Sequence, residues 1–202
     1  MPAAPSQPGS TIVALATAAE LRGAPAHGRA AERRAARLAA RRAISALAGR
    51  EANVVVQRTP GAAPTVRARG RRDAALAGIA LSLTHRDGRA AAAAAPAGAR
   101  VGIDLERADA VRPEHARYFL TCRERVARTL TLSELWALKE AAWKALALDG
   151  AVPFHDLELD LDGAGRLRAV SVCGRRLPAS ATLATPYAGY VLATVTVGDA
   201  TC

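Results

Sequence analysis

Leu135-Trp136-Ala137-Leu138-Lys139-Glu140-Ala141-Ala142-Trp143-Lys144-Ala145-Leu146 is the stretch on which the reading of this chain turns. Thr131-Leu132-Ser133-Glu134 ahead of it has the Thr-x-x-Glu spacing of a capping box, and Gly150 closes the apolar run behind it, so the spacing predicts a helix. Leu135, Leu138, Ala142 and Leu146 recur at helical spacing and are expected to face a core. Trp136, Glu140 and Lys144 share another face, which sets a carboxylate and an ammonium one turn apart. Upstream, Val101-Gly102-Ile103-Asp104-Leu105-Glu106 alternates as a strand does, burying Val101, Ile103 and Leu105 and pointing Asp104 and Glu106 to one side. Two carboxylates on one strand face repel each other, an arrangement that makes sense with a cation between them. Adding Glu140 gives a set of hard oxygen ligands that suits Mg²⁺ better than a transition metal.

Ser82-Leu83-Thr84-His85, Gly102-Ile103-Asp104-Leu105-Glu106 and Trp136-x-x-Lys139-Glu140-Ala141-x-x-Lys144, in that order and at these separations, resemble the phosphopantetheinyl transferases. The length of the chain and the position of the His motif look like the long, monomeric type that serves carrier domains of polyketide, peptide and fatty-acid synthases. The resemblance covers residues 30 to 165. It implies an α+β fold of two similar halves related by a pseudo-twofold, with the active site at their interface. The expected division is a disordered tail over 1–10, a basic half over 11–95 and a carboxylate-bearing half over 96–202.

The reaction so implied is transfer of the 4′-phosphopantetheine arm of coenzyme A to a serine of an apo carrier protein, with release of adenosine 3′,5′-bisphosphate. By resemblance, Asp104, Glu106 and Glu140 hold Mg²⁺, with Mn²⁺ as the alternative ion, and coenzyme A is the co-substrate. Glu140 serves as general base, directly or through a metal-bound water, although the sequence leaves open which carboxylate takes the proton. Lys144 neutralises the phosphates of the leaving group, with Lys139 beside it in the same part. These are the two lysines of a chain whose other 26 basic residues are arginine, so a drift toward arginine has spared them. His85 donates to a phosphate, followed by Arg86 where the family often has a hydroxyl residue. Arg33 and Arg42 fall where family members carry arginines; Arg33, with Arg34 beside it, is the candidate for the 3′-phosphate. Gly61 to Pro64 resembles a Gly-Lys-Pro element in which Ala62 and Ala63 replace the lysine.

The chain has 202 residues, half of them apolar, enough for a substantial core, and a net charge of +10. Residues 1–101 carry 16 arginines against 5 acids, for +11, and residues 102–202 carry 12 basic residues against 13 acids, for −1. The basic half asks for an anionic partner, and two are at hand: the phosphates of coenzyme A and an acidic carrier protein. With neither a membrane span nor a charged leader in view, the expectation is a cytoplasmic protein that engages no membrane, and the resemblance implies a monomer. Cys122, Cys173 and Cys202 lack zinc spacing and read as reduced thiols.

Elsewhere the patterns predict strands over 11–17, 53–58, 79–84, 89–95, 157–161, 167–173 and 190–197, and helices over 29–47 and from Pro113 to about Arg128. Thr59-Pro60-Gly61, Arg86-Asp87-Gly88 and Asp162-Gly163-Ala164-Gly165 read as turns. Each motif also has a plain reading: Asp104 and Glu106 as the solvated face of an edge strand, Glu140 and Lys144 as a helix-surface pair of about 0.3–0.5 kcal/mol. Their fixed order argues for a site. Two other functions compete. A basic nucleic-acid-binding protein fits a pI near 10.8 but not a chain with only three Tyr, two Phe and two Trp for base stacking. An inactive carrier-protein-binding subunit fits poorly with a complete set of carboxylates and lysines. No nucleic acid is expected as a partner.

Overall fold

The structure is a computed structural model that describes residues 10–21, 28–59, 62–126, 129–148 and 152–199. The tail before Ser10, Pro60-Gly61 of the predicted turn, Arg128, Gly150 and Cys202 lie outside those residues. The chain divides into two compact units, Met1–Ala99 and Arg100–Cys202, and both mix helices with antiparallel sheets. Among the described residues, no helix is long and apolar enough to cross a membrane.

In the first unit β1 (Ile12–Thr17), β4 (Ile79–Arg86) and β5 (Arg89–Ala97) form a sheet of order β1-β5-β4, and β2 (Val54–Gln57) pairs with β3 (Thr65–Ala68). Asp87 and Gly88, both at positive φ, make the two-residue turn between β4 and β5. The central strand β5 runs almost entirely in alanine, and Ala90 to Ala95 are at most 1% exposed. Alanine is a poor strand former, but here a partner on each side and a helix above decide. That helix, α1 (Arg29–Ala48), packs on β5 and β1 through Ala35, Ala36, Ala39, Ala40, Ala43 and Ile44. Small side chains on both surfaces let helix and sheet approach closely. Leu38 and Leu47 pack against this cluster and are only partly buried.

In the second unit β6 (Arg100–Arg107), β7 (Leu157–Leu161), β8 (Leu167–Val172), β9 (Arg175–Ala184) and β10 (Tyr190–Val197) form a sheet of order β6-β10-β9-β8-β7. The sequence reading had no strand at β9, which contains Pro178. This strand changes partner there: Arg175 to Pro178 pair with β8, and Ala179 to Ala184 with β10. A residue without an N–H is tolerated at such a change-over.

The helix expected from Pro113 to about Arg128 is broken. A short 3₁₀ turn over Pro113–His115 leads into α2 (Ala116–Phe119), and α3 (Cys122–Val126) follows. Leu120 is extended, and Thr121 caps α3, accepting from Glu124 N while its own N–H donates to Glu124 Oε2. The break drives Phe119 and Leu120 into the core, where they are 2% and 1% exposed. Helix α4 (Leu132–Ala145) begins at the expected capping box: Thr131 Oγ1 accepts from Glu134 N, and Glu134 Oε2 accepts from Thr131 N at 2.7 Å. Leu135, Leu138 and Ala142 are buried as the spacing predicts. All four Trp and Phe of the chain gather on this unit's core, Phe154 stacking on Trp136 and Trp143 while Phe119 meets Trp136 edge-on.

Candidate active site

Helix α4 lies on β6 and β10 so closely that a Cβ on Gly102 would stand 1.8 Å from the Ala141 carbonyl oxygen and 2.7 Å from Ala145 N. Only glycine permits that approach. The pairing register sets Val195, Ala193 and Val191 of β10 opposite Gly102, Asp104 and Glu106, and these β10 residues share a core with Ala137, Ala141 and Ala142 of α4. The alternation of the strand therefore turns Asp104 toward the helix, and both faces of β6 are buried.

The last turns of α4 meet Asp104 there. Lys144 Nζ donates to Asp104 Oδ1 at 2.6 Å and to the Ile103 carbonyl at 3.2 Å, and stands 3.4 Å from Glu140 Oε2. Burial and the neighbouring Asp104, with which it shares a hydrogen bond, push the Glu140 carboxyl above its ordinary range; Lys144 opposes them. Glu106, also on the Asp104 face, is 8% exposed, and its Oε1 accepts from Arg107 N at 2.8 Å. Two touching carboxylates that hold an ammonium ion form an oxygen-rich anionic cradle. Such a pair fits Mg²⁺, which commonly takes one or two carboxylates plus phosphate oxygens and water. Among the described residues, no group of three or more His, Cys, Asp or Glu side chains stands together as a metal site.

Residues 100–195, which include β6, α4 and all these side chains, match the family model of the 4'-phosphopantetheinyl transferase superfamily. Among solved structures, the holo-[acyl-carrier-protein] synthase (AcpS) of Thermotoga maritima is similar at 23% identity with a TM-score of 0.35, over 49% of this chain and 62% of that one. No curated protein matches the chain.

Within the matched residues Lys139 departs from expectation. It is not at a phosphate-binding surface but 0% exposed, with its Nζ 2.8 Å from Glu124 Oε2. Glu124 also accepts from Thr121 N at 2.7 Å and from Leu159 N at 2.8 Å, so one carboxylate ties α3, α4 and β7 together. Desolvation lowers the Lys139 pKa, and the Glu124 charge opposes the shift. The sequence did signal this acid, since Thr121-x-x-Glu124 repeats the spacing of Thr131-x-x-Glu134, but an assumed continuous helix hid it.

In the first unit His85, next to last in β4, has its Nδ1 3.5 Å from Glu32 Oε2, and Glu32 Oε1 accepts from Gly88 N at 3.4 Å. Glu32 was not singled out by sequence; no local pattern links the first turn of α1 to a hairpin 56 residues on. Arg86, Arg33 and Arg34 are exposed. Arg42 has structural duties, donating to the Leu15 carbonyl at 2.8 Å and pairing with Glu20 Oε2 at 2.6 Å, which holds the Glu20 carboxyl below its ordinary range.

Proposed function

We propose that this protein transfers the 4′-phosphopantetheine arm of coenzyme A to a serine of an acidic apo carrier protein, as a transferase of the long, monomeric type. The observation that carries the reading is the Asp104–Glu140–Lys144 cluster inside the residues that match the family model. The serine Oγ attacks the β-phosphorus of coenzyme A, the bond to adenosine 3′,5′-bisphosphate breaks, and the serine proton passes to a carboxylate. Glu140 is assigned that role; in the absence of an ion, burial and Asp104 raise its carboxyl above the ordinary range. Asp104 and Glu140 would hold Mg²⁺, with Glu106, whose Oε1 accepts from Arg107 N, as the third ligand. The ion, when bound, neutralises the pyrophosphate and supports charge at the leaving oxygen. Lys144 meets the charge that develops on the leaving bisphosphate.

From the first unit we assign His85, Arg86 and Arg33 to the phosphates of coenzyme A; Arg42, already bound to Glu20 and Leu15, supports the helix that presents Arg33. Lys139 keeps a structural task. Glu140→Gln tests the reading: transfer to an apo carrier, followed by intact mass, falls by about 10²–10⁴-fold while the circular dichroism spectrum is unchanged. Full activity in that variant would remove the cluster from the reaction.

A further inference from the structure

Lys144 does more in this structure than wait for a phosphate. Its Nζ lies 2.6 Å from Asp104 Oδ1, 3.2 Å from the Ile103 carbonyl and 3.4 Å from Glu140 Oε2, the contacts a small cation would make with this cradle. An ammonium and a divalent ion a few ångströms apart repel strongly in a partly buried site, so the two do not share the pair. The side chain springs from the carboxyl-terminal end of α4, one turn beyond Glu140, and its flexible stem lets it swing between two anions.

We infer that Lys144 is a place-holder: it occupies the Asp104–Glu140 pair until an anionic phosphate draws it away, so that a divalent ion binds together with the phosphate and only weakly before it. The exclusion itself rests on this unit's geometry, and only the identity of the phosphate as that of coenzyme A rests on the proposed function. Linkage then requires that the phosphate strengthens ion binding by the same factor by which the ion strengthens phosphate binding. The inference gives Lys144 a ground-state task apart from stabilising the leaving group, and it sets the order in which the site fills.

Mn²⁺ titrated into the whole protein, with the unbound ion followed by electron paramagnetic resonance, reads this directly and needs no turnover. The wild type binds Mn²⁺ weakly alone and more tightly with coenzyme A present and no carrier protein. Lys144→Met binds Mn²⁺ about tenfold or more tighter than wild type without coenzyme A, and Asp104→Asn added to it cancels the gain. Should Lys144→Met lose its fold by circular dichroism, Lys144→Gln makes the same comparison. Equal Mn²⁺ affinity in the folded lysine variant and the wild type overturns the inference. A gain in Lys144→Met with no effect of coenzyme A on the wild type upholds the place-holder and counts against the transferase reading.

Discussion

Lys144 and Glu140 sit one turn apart on α4, yet their environments set them different tasks. Glu140 is half-hidden beside a second carboxylate, so its proton affinity rises, whereas Lys144 faces two acids and a carbonyl. Lys144→Ala is accordingly expected to lower kcat about 10²-fold or more with the KM for the carrier protein little changed, measured by steady-state transfer kinetics. A loss confined to KM would place the lysine in carrier recognition. Asp73 shows the opposite shift. Arg50 donates to it and Asn53 N–H adds a second bond, so its carboxyl lies below the ordinary range. The fold thus favours ionised Asp73: its contribution is complete above about pH 3.9 and is lost as pH falls through the lowered folded value. Asp73→Asn should melt earlier than wild type at pH 7, and the gap between the two should close in stronger acid. A gap that widens toward low pH would contradict this sign.

At the scale of elements, the site depends on how near α4 comes to β6. A methyl group at Gly102 meets main-chain atoms that cannot step aside alone, so Gly102→Ala pushes the helix off the sheet. The expected cost is about 1–3 kcal/mol in urea unfolding, together with loss of transfer, since Glu140 and Lys144 move with the helix. Unchanged stability would contradict so close an approach of α4 to β6. The buried pair beneath the same helix gives a second test. Lys139→Met leaves Glu124 charged and buried without its cation, at about 3–5 kcal/mol, and Glu124→Gln added to it restores most of that loss. Additive losses in the double variant would argue against a paired role. The capping box and apolar stripe of α4 were legible because both are local patterns. So was the motif around Asp104, but not the helix lying on it, which depends on a register that β10 supplies. The broken helix after Pro113 was misread because its apolar residues fit a continuous helix, while Thr121 and Glu124 break it through a cap and a distant lysine. In β5 and α1 alanine hides both period and face, because its burial in either element looks the same in sequence.

Across the whole molecule the charge is lopsided, with +11 on residues 1–101 and −1 on residues 102–202. If the arginines attract an acidic carrier, added salt should raise the KM for the carrier while kcat holds, because screening acts more on encounter than on the partly buried cluster. A kcat that falls with salt as steeply as kcat/KM would locate the effect in the site. The α+β class and the identity of most strands could be read from the chain, since strand and turn signals alternate throughout. Partners β3 and β9 could not, being short or interrupted by proline and defined by what they pair with. The most direct test of the account is intact mass spectrometry of several purified apo carrier proteins incubated with this protein, coenzyme A and Mg²⁺, beside an EDTA control. A gain of one phosphopantetheine arm that EDTA abolishes is the predicted result; no gain on any carrier, with no measurable binding of coenzyme A, would contradict it.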